Sequence, residues 1–148
     1  MTRVLAKLLA GMLAAAPLQG HARGAPAFVD DRWNPAHVQS LPPLLRARLQ
    51  SAQSICGPIL EAEHFIATYI RASRAEYAIL HFENLRCANR DRICREGRCL
   101  HEVYKTIGDQ SWRVLQRYVR EMRLNTIDGK AVIEIECGSI VCGPVRLP

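Results

Sequence analysis

Cys87-Ala-Asn-Arg90-Asp-Arg92-Ile-Cys94-Arg95-Glu-Gly-Arg98-Cys99 gathers three of the chain's six cysteines and four arginines into thirteen residues. The flanking runs, Tyr77 to Phe82 and Leu100 to Thr106, are rich in aromatic and β-branched side chains and read as strands. The stretch is therefore a cross-linked basic loop between two strands.

Outward from the loop, His64 to Ile70 and Tyr77 to Phe82 form an expected hairpin across the polar Arg71 to Glu76. Downstream, Gly108-Asp109 supplies a turn after the strand Leu100 to Thr106. Residues 112–125 admit two readings. Trp112, Leu115, Tyr118, Val119 and Met122 fit a helical period, but Leu124 to Glu136 is a hairpin pattern, with Asp128-Gly129 at the turn and period-2 alternation after it. The expectation adopted is strands on both sides of a break near Arg120. Cys137 to Cys142 reads as a small disulfide-sized turn.

Upstream, Leu41, Leu44, Leu45, Leu49, Ala52, Ile55 and Cys56 recur at helical spacing. Ser40 is the expected cap, Pro42 and Pro43 fit a first turn, and Gly57-Pro58 stops the helix. Arg46, Arg48, Gln50 and Gln53 fall on its solvated side, as Arg113, Arg117, Arg120 and Arg123 fall on the solvated side of the later segment. Residues 23–38 follow neither period and read as an irregular leader that drapes on the fold through Phe28 and Trp33. The expected fold class is α+β. One N-terminal amphipathic helix packs on an antiparallel meander of five or six strands, in a single disulfide-stapled domain spanning 39–148.

The chain opens with Arg3 and Lys7 ahead of the apolar run Leu8 to Leu18 and the small-residue site Gly20-His21-Ala22. This is the pattern of a secretory signal peptide, residues 1–22, and the run is well short of the ~20 residues that span a bilayer. No transmembrane span is expected after its removal. Cleavage is expected after Ala22, with Ala25-Pro26-Ala27 as the alternative site, so mass analysis of the exported protein should find Arg23 at its N-terminus. Loss of Arg3 and Lys7 takes the formal charge from +6 to +4. A secreted or periplasmic address implies an oxidising compartment, and the even cysteine count then implies disulfides. Many pairings of Cys56, Cys87, Cys94, Cys99, Cys137 and Cys142 are open. The expected set is Cys94 with Cys99 and Cys137 with Cys142 as local staples, and Cys56 with Cys87 pinning helix to sheet.

Trp33-Asn-Pro, Leu41-Pro-Pro, Leu80-His-Phe-Glu83, Cys94, Cys99-Leu-His-Glu-Val-Tyr104 and the later Trp112-Arg-Val-Leu resemble a group of small secreted alphaproteobacterial proteins of unknown function. The resemblance implies export and a disulfide-bonded sheet. It brings no activity, cofactor or catalytic residue.

Three constellations carry candidate chemistry. Arg90, Arg92, Arg95 and Arg98, with Arg86 beside them, outnumber Asp91 and Glu96, so the stapled loop can grip an anionic envelope component or an acidic protein surface. The competing reading is a solvated loop whose charges are compensated by local ion pairs. His81 and Glu83 share a face if both lie in a strand, and only one of His101 and Glu102 can join them, since neighbours in a strand point oppositely. A His81, Glu83, His101 cluster is suited to acid–base work in a small ribonuclease-like hydrolase. A zinc site from Cys94, Cys99 and His101 with His64 or His81 is set aside, because CxxC spacing is missing and these thiols oxidise in this compartment. No cofactor is expected. A non-enzymatic binding module is the leading expectation and the hydrolase its alternative.

Overall fold

Strand β2, Ala75–His81, is buried along nearly its whole length on both faces, and the molecule is layered around it. The computed structural model describes residues 31–136 and 141–148. The expected signal segment, Phe28 with the first part of the expected leader, and Cys137 lie outside the described residues. β1 (Ala67–Ala72) pairs with β2, and β2 pairs with β4 (Arg98–Ile107), all antiparallel. On its other edge β4 takes β5 (Gln110–Val119), while the two-residue β3 (Cys94–Arg95) extends the β2 side. After Arg120 the chain starts a second sheet of three strands, β6 (Glu121–Ile127), β7 (Lys130–Glu136) and β8 (Val141–Arg146).

Period-2 alternation distributes β2 and β4 between two cores. Ala78, Leu80, Leu100 and Tyr104 face a cluster built with Leu41, Leu45, Leu49 and Phe82. Ile79 and Val103 face the opposite way, onto Met122, Ile133 and Ile135 of the second sheet. A sheet whose central strands are apolar on both faces needs a layer on each. Among the described residues, eight strands in two stacked sheets replace the expected single meander of five or six. The class remains α+β. The break at Arg120 and the turns at 108–109 and 128–129 fall where the sequence places them, whereas the expected strand His64 to Ile70 opens as a 3-10 turn, His64–Ile66, before β1, Phe82 lies past the end of β2, and β8 begins at Val141 inside the expected Cys137 to Cys142 turn. Asp128 and Gly129 both have positive φ, 51° and 72°, as a two-residue hairpin turn of this hand requires. Ser73 Oγ, in the β1–β2 turn, donates to the Gly129 carbonyl at 2.9 Å and ties the two sheets at their hairpin ends.

The single N-terminal helix is not present as expected. Three short helices take its place: α1 (Pro35–Gln39), α2 (Pro43–Gln50) and α3 (Gln53–Cys56). Ser40 closes α1 instead of opening α2, its Oγ donating to the His37 carbonyl at 2.9 Å. Pro42 caps α2 and Pro43 takes its first position, where a missing N–H costs nothing. At the other end Ser51 Oγ donates back to the Arg48 carbonyl at 2.7 Å, and the backbone tightens through Ala52 N–H to the Leu49 carbonyl. The leader is likewise not irregular throughout: Asn34 Oδ1 accepts the Ala36 N–H at 2.9 Å to cap α1. Helices this short do not stand alone in water. Burial of Leu45 and Leu49, each worth about 1.5–3 kcal/mol, and the Cys56–Cys87 disulfide hold them to the sheet.

Candidate functional site

The basic loop is fixed at three points. Cys56–Cys87 joins its start to α3, and Cys94–Cys99 closes the β3–β4 hairpin between residues that are direct cross-strand partners. Between them Ile93 is buried and its carbonyl accepts the Leu100 N–H at 2.8 Å. Both disulfides are the ones expected. Cys142 is also disulfide-bonded, and the expected pairing with Cys137 lies outside the described residues. Glu96 and Gly97, both at positive φ, turn the chain at the tip.

Arg90, Arg92, Arg95 and Arg98 are all exposed on this frame. Among the described residues no carboxylate lies within ion-pair distance of any of them, Asp91 and Glu96 included. Arg86 is different, since it pairs with Glu61 at 2.8 Å and is tied down outside the loop. Arg90 also reaches back, Nη1 donating to the Glu83 carbonyl at 3.2 Å.

That contact leads to the second cluster. The β2–β4 register sets His81 directly opposite His101, with ring centroids 5.3 Å apart. Glu83 is not in the strand as expected but in a 3-10 turn, Phe82–Asn84, which swings its carboxylate back over the two rings. His101 Nε2 lies 3.0 Å and His81 Nδ1 3.4 Å from the same oxygen, Glu83 Oε1. The far nitrogens are also engaged, His101 Nδ1 with the Cys99 carbonyl at 3.0 Å and His81 Nε2 with Thr68 Oγ1 at 2.9 Å. Burial acts to raise the pKa of Glu83, but the contacts with His101 and then His81 prevail and hold it down to about 2. Its second oxygen, Oε2, is buried with no hydrogen-bond partner. His101 is wholly enclosed, whereas His81 and Glu83 line a cleft of about 760 Å³ between β1 and β6, with Arg120 and Arg123 on its wall.

Glu102 points to the other face, as strand alternation requires, and there it makes contacts that sequence reading missed. Fully buried, it takes both Arg48 Nε and Nη2 at 2.8 Å, Arg113 Nη1 at 3.1 Å and the Tyr104 hydroxyl at 2.8 Å. Arg48 and Arg113 are therefore not part of solvated sets. Burial, followed by the hydrogen bond to Glu102, pushes the Tyr104 pKa well above its ordinary range. Arg120 and Arg123 are also paired, with Glu136 and Glu121. One signal was available in the sequence: a Glu on the apolar face of a strand, between Leu100 and Tyr104, needs a cation.

The thiol-based zinc set is not assembled. Cys94 and Cys99 are bonded to each other, and His64 stacks edge-on against His37 with centroids 5.5 Å apart. No helix among the described residues is long and apolar enough to cross a membrane. No protein family, curated protein or solved structure matches the chain.

Proposed function

We propose that this is an exported envelope protein that binds an anionic partner through Arg90, Arg92, Arg95 and Arg98. One observation carries the reading. These four guanidiniums, gathered within nine residues, have no carboxylate partner among the described residues; Arg32, Arg48, Arg71, Arg86, Arg113, Arg120 and Arg123 each have one, and the other unpaired arginines, Arg46, Arg74, Arg117 and Arg146, are scattered along the chain. Local compensation, the bland alternative for such a loop, is thus not what neutralises them. Two disulfides and a buried Ile93 already restrict the loop, so little ordering cost opposes binding. Guanidiniums suit planar carboxylates and phosphates. Disulfides accord with an oxidising compartment, and export remains supported by the signal pattern of residues 1–22.

Changing the four arginines to Ser should weaken retention on a phosphate- or carboxylate-bearing matrix at physiological salt. Four exposed pairs at ~0.2–1 kcal/mol each amount to roughly a four-fold to several-hundred-fold weaker association. Melting should move by no more than about 0.5 kcal/mol per site. Wild-type binding should fall with salt, because exposed charges are screened over ~8 Å at physiological ionic strength. Equal retention of wild type and the four-Ser variant would sink the proposal.

A second reading, hydrolysis of a phosphodiester by His81, Glu83 and His101, is favoured by the cleft that opens over His81 and Glu83. It requires cleavage activity that survives the four-Ser change and disappears in a His81→Ala, Glu83→Gln variant.

A further inference from the structure

The geometry points to a divalent metal site of the zinc class, formed by His81 Nδ1, His101 Nε2 and the Glu83 carboxylate. The hydrogen-bond partners make the case. His101 Nδ1 faces a carbonyl, which only accepts, so this nitrogen carries the ring proton. Nε2 of the neutral ring then presents a lone pair to Glu83 Oε1 at 3.0 Å, two acceptors face to face. A second proton on His101 would also relieve this, at the cost of a cation with no exposed surface. A single cation between the ligand atoms resolves the opposition. His81 is oriented comparably, with Nε2 on Thr68 Oγ1 and Nδ1 turned to the carboxylate, though a hydroxyl either donates or accepts and so places the ring without fixing its tautomer. Metal-ligating histidines characteristically donate their far N–H to an oxygen of the protein in the way His101 does, which fixes the ring and the tautomer.

Distances agree with one shared ion. Ligand atoms ~2.0–2.1 Å from a tetrahedral ion lie roughly 3.3 Å from one another, and the two observed separations from Glu83 Oε1 are 3.0 and 3.4 Å. All three groups offer donor atoms within 4.8 Å of one another. Glu83 Oε2, the other oxygen of the same carboxylate, is buried without a hydrogen-bond partner. Imidazole and carboxylate together suit zinc and its neighbours more than the hard ions magnesium and calcium, which prefer oxygen alone. With the cleft on the open side, the ion keeps a coordination position for water or an anion, as three-ligand zinc sites do.

The test is zinc titration of the oxidised full-length chain by calorimetry, with cobalt(II) as a spectroscopic substitute. The site should take one ion per chain, and cobalt should give the visible bands of a low-coordinate nitrogen–oxygen site that zinc then bleaches. Glu83→Gln, which keeps size but loses the anionic ligand, should weaken zinc by more than ~100-fold, since loss of a supporting hydrogen bond alone costs about 10–100-fold. Thr68→Val, an isosteric change on a strand that supports folding, should cost that smaller amount by releasing His81. His64→Ala and the four-Ser loop variant should bind zinc as wild type does, which keeps this site separate from the anion-binding loop. Absence of stoichiometric binding by wild type would overturn the assignment. So would unchanged affinity in both Glu83→Gln and Thr68→Val, or loss of binding in His64→Ala. If Glu83→Gln does not fold, wild type and Thr68→Val decide the matter.

Discussion

Arg48→Met should lower the stability of the oxidised chain by about 3–5 kcal/mol, the range for removing one partner from a buried ion pair. Its guanidinium lies over the Phe82 ring, 5.1 Å from the centroid, and Met keeps an apolar stem of similar length, so the loss is chiefly one of charge. Glu102 is left with no exposed surface and with Arg113, itself nearly half exposed, as its remaining cation. That residual pairing puts the effect toward the low end of the range. The triple variant Arg48→Met, Glu102→Leu, Tyr104→Phe should recover most of the loss, because no buried acceptor or donor is then orphaned and apolar replacements of buried pairs are often neutral. Urea denaturation of the two variants beside wild type makes the comparison. A single variant within about 0.5 kcal/mol of wild type would show that Glu102 is satisfied without Arg48.

Replacing both Cys56 and Cys87 by Ala should cost a comparable amount. The bond spans a sequence separation of 31, for which loop-closure estimates are about 3 to 4 kcal/mol, against about 2 kcal/mol for Cys94–Cys99 with its separation of 5. The loss should be local in its first expression. α3 and the start of the basic loop are each too short to be held by their own hydrogen bonds, so their amides should exchange well before those of β2 and β4. Removing Cys94 and Cys99 should instead leave α3 protected and free only the hairpin tip. Against a typical domain stability of about 5–15 kcal/mol, the first replacement is a large fraction of the whole. A denaturation midpoint that barely shifts in the Cys56, Cys87 variant, with unchanged exchange at α3, would count against the pinning role.

Part of the fold is legible in the sequence because it is local. Asp128-Gly129 selects a tight hairpin turn by backbone conformation alone, and the alternation in Lys130 to Glu136 follows from the pleat. Cys94 and Cys99, five apart around Glu96-Gly97, meet because one turn brings them together. Strand alternation by itself sends His101 and Glu102 to opposite faces. The helical period from Leu41 to Cys56 is real but does not show the breaks, because prolines and a backbone-bonding Ser51 act within a turn while the period averages over several. Apart from the Cys56–Cys87 bond, which the cysteine pattern already suggested, what joins distant segments was decided by tertiary structure. The stacking of a second sheet on β2, the Arg48 to Glu102 pair across 54 positions, and the return of Glu83 over His101 depend on which faces are brought into contact. Periodicity reports that a face is apolar or that a charge lies on it; it does not carry the identity of the surface that will cover that face, since burial is non-directional and any complementary layer satisfies it.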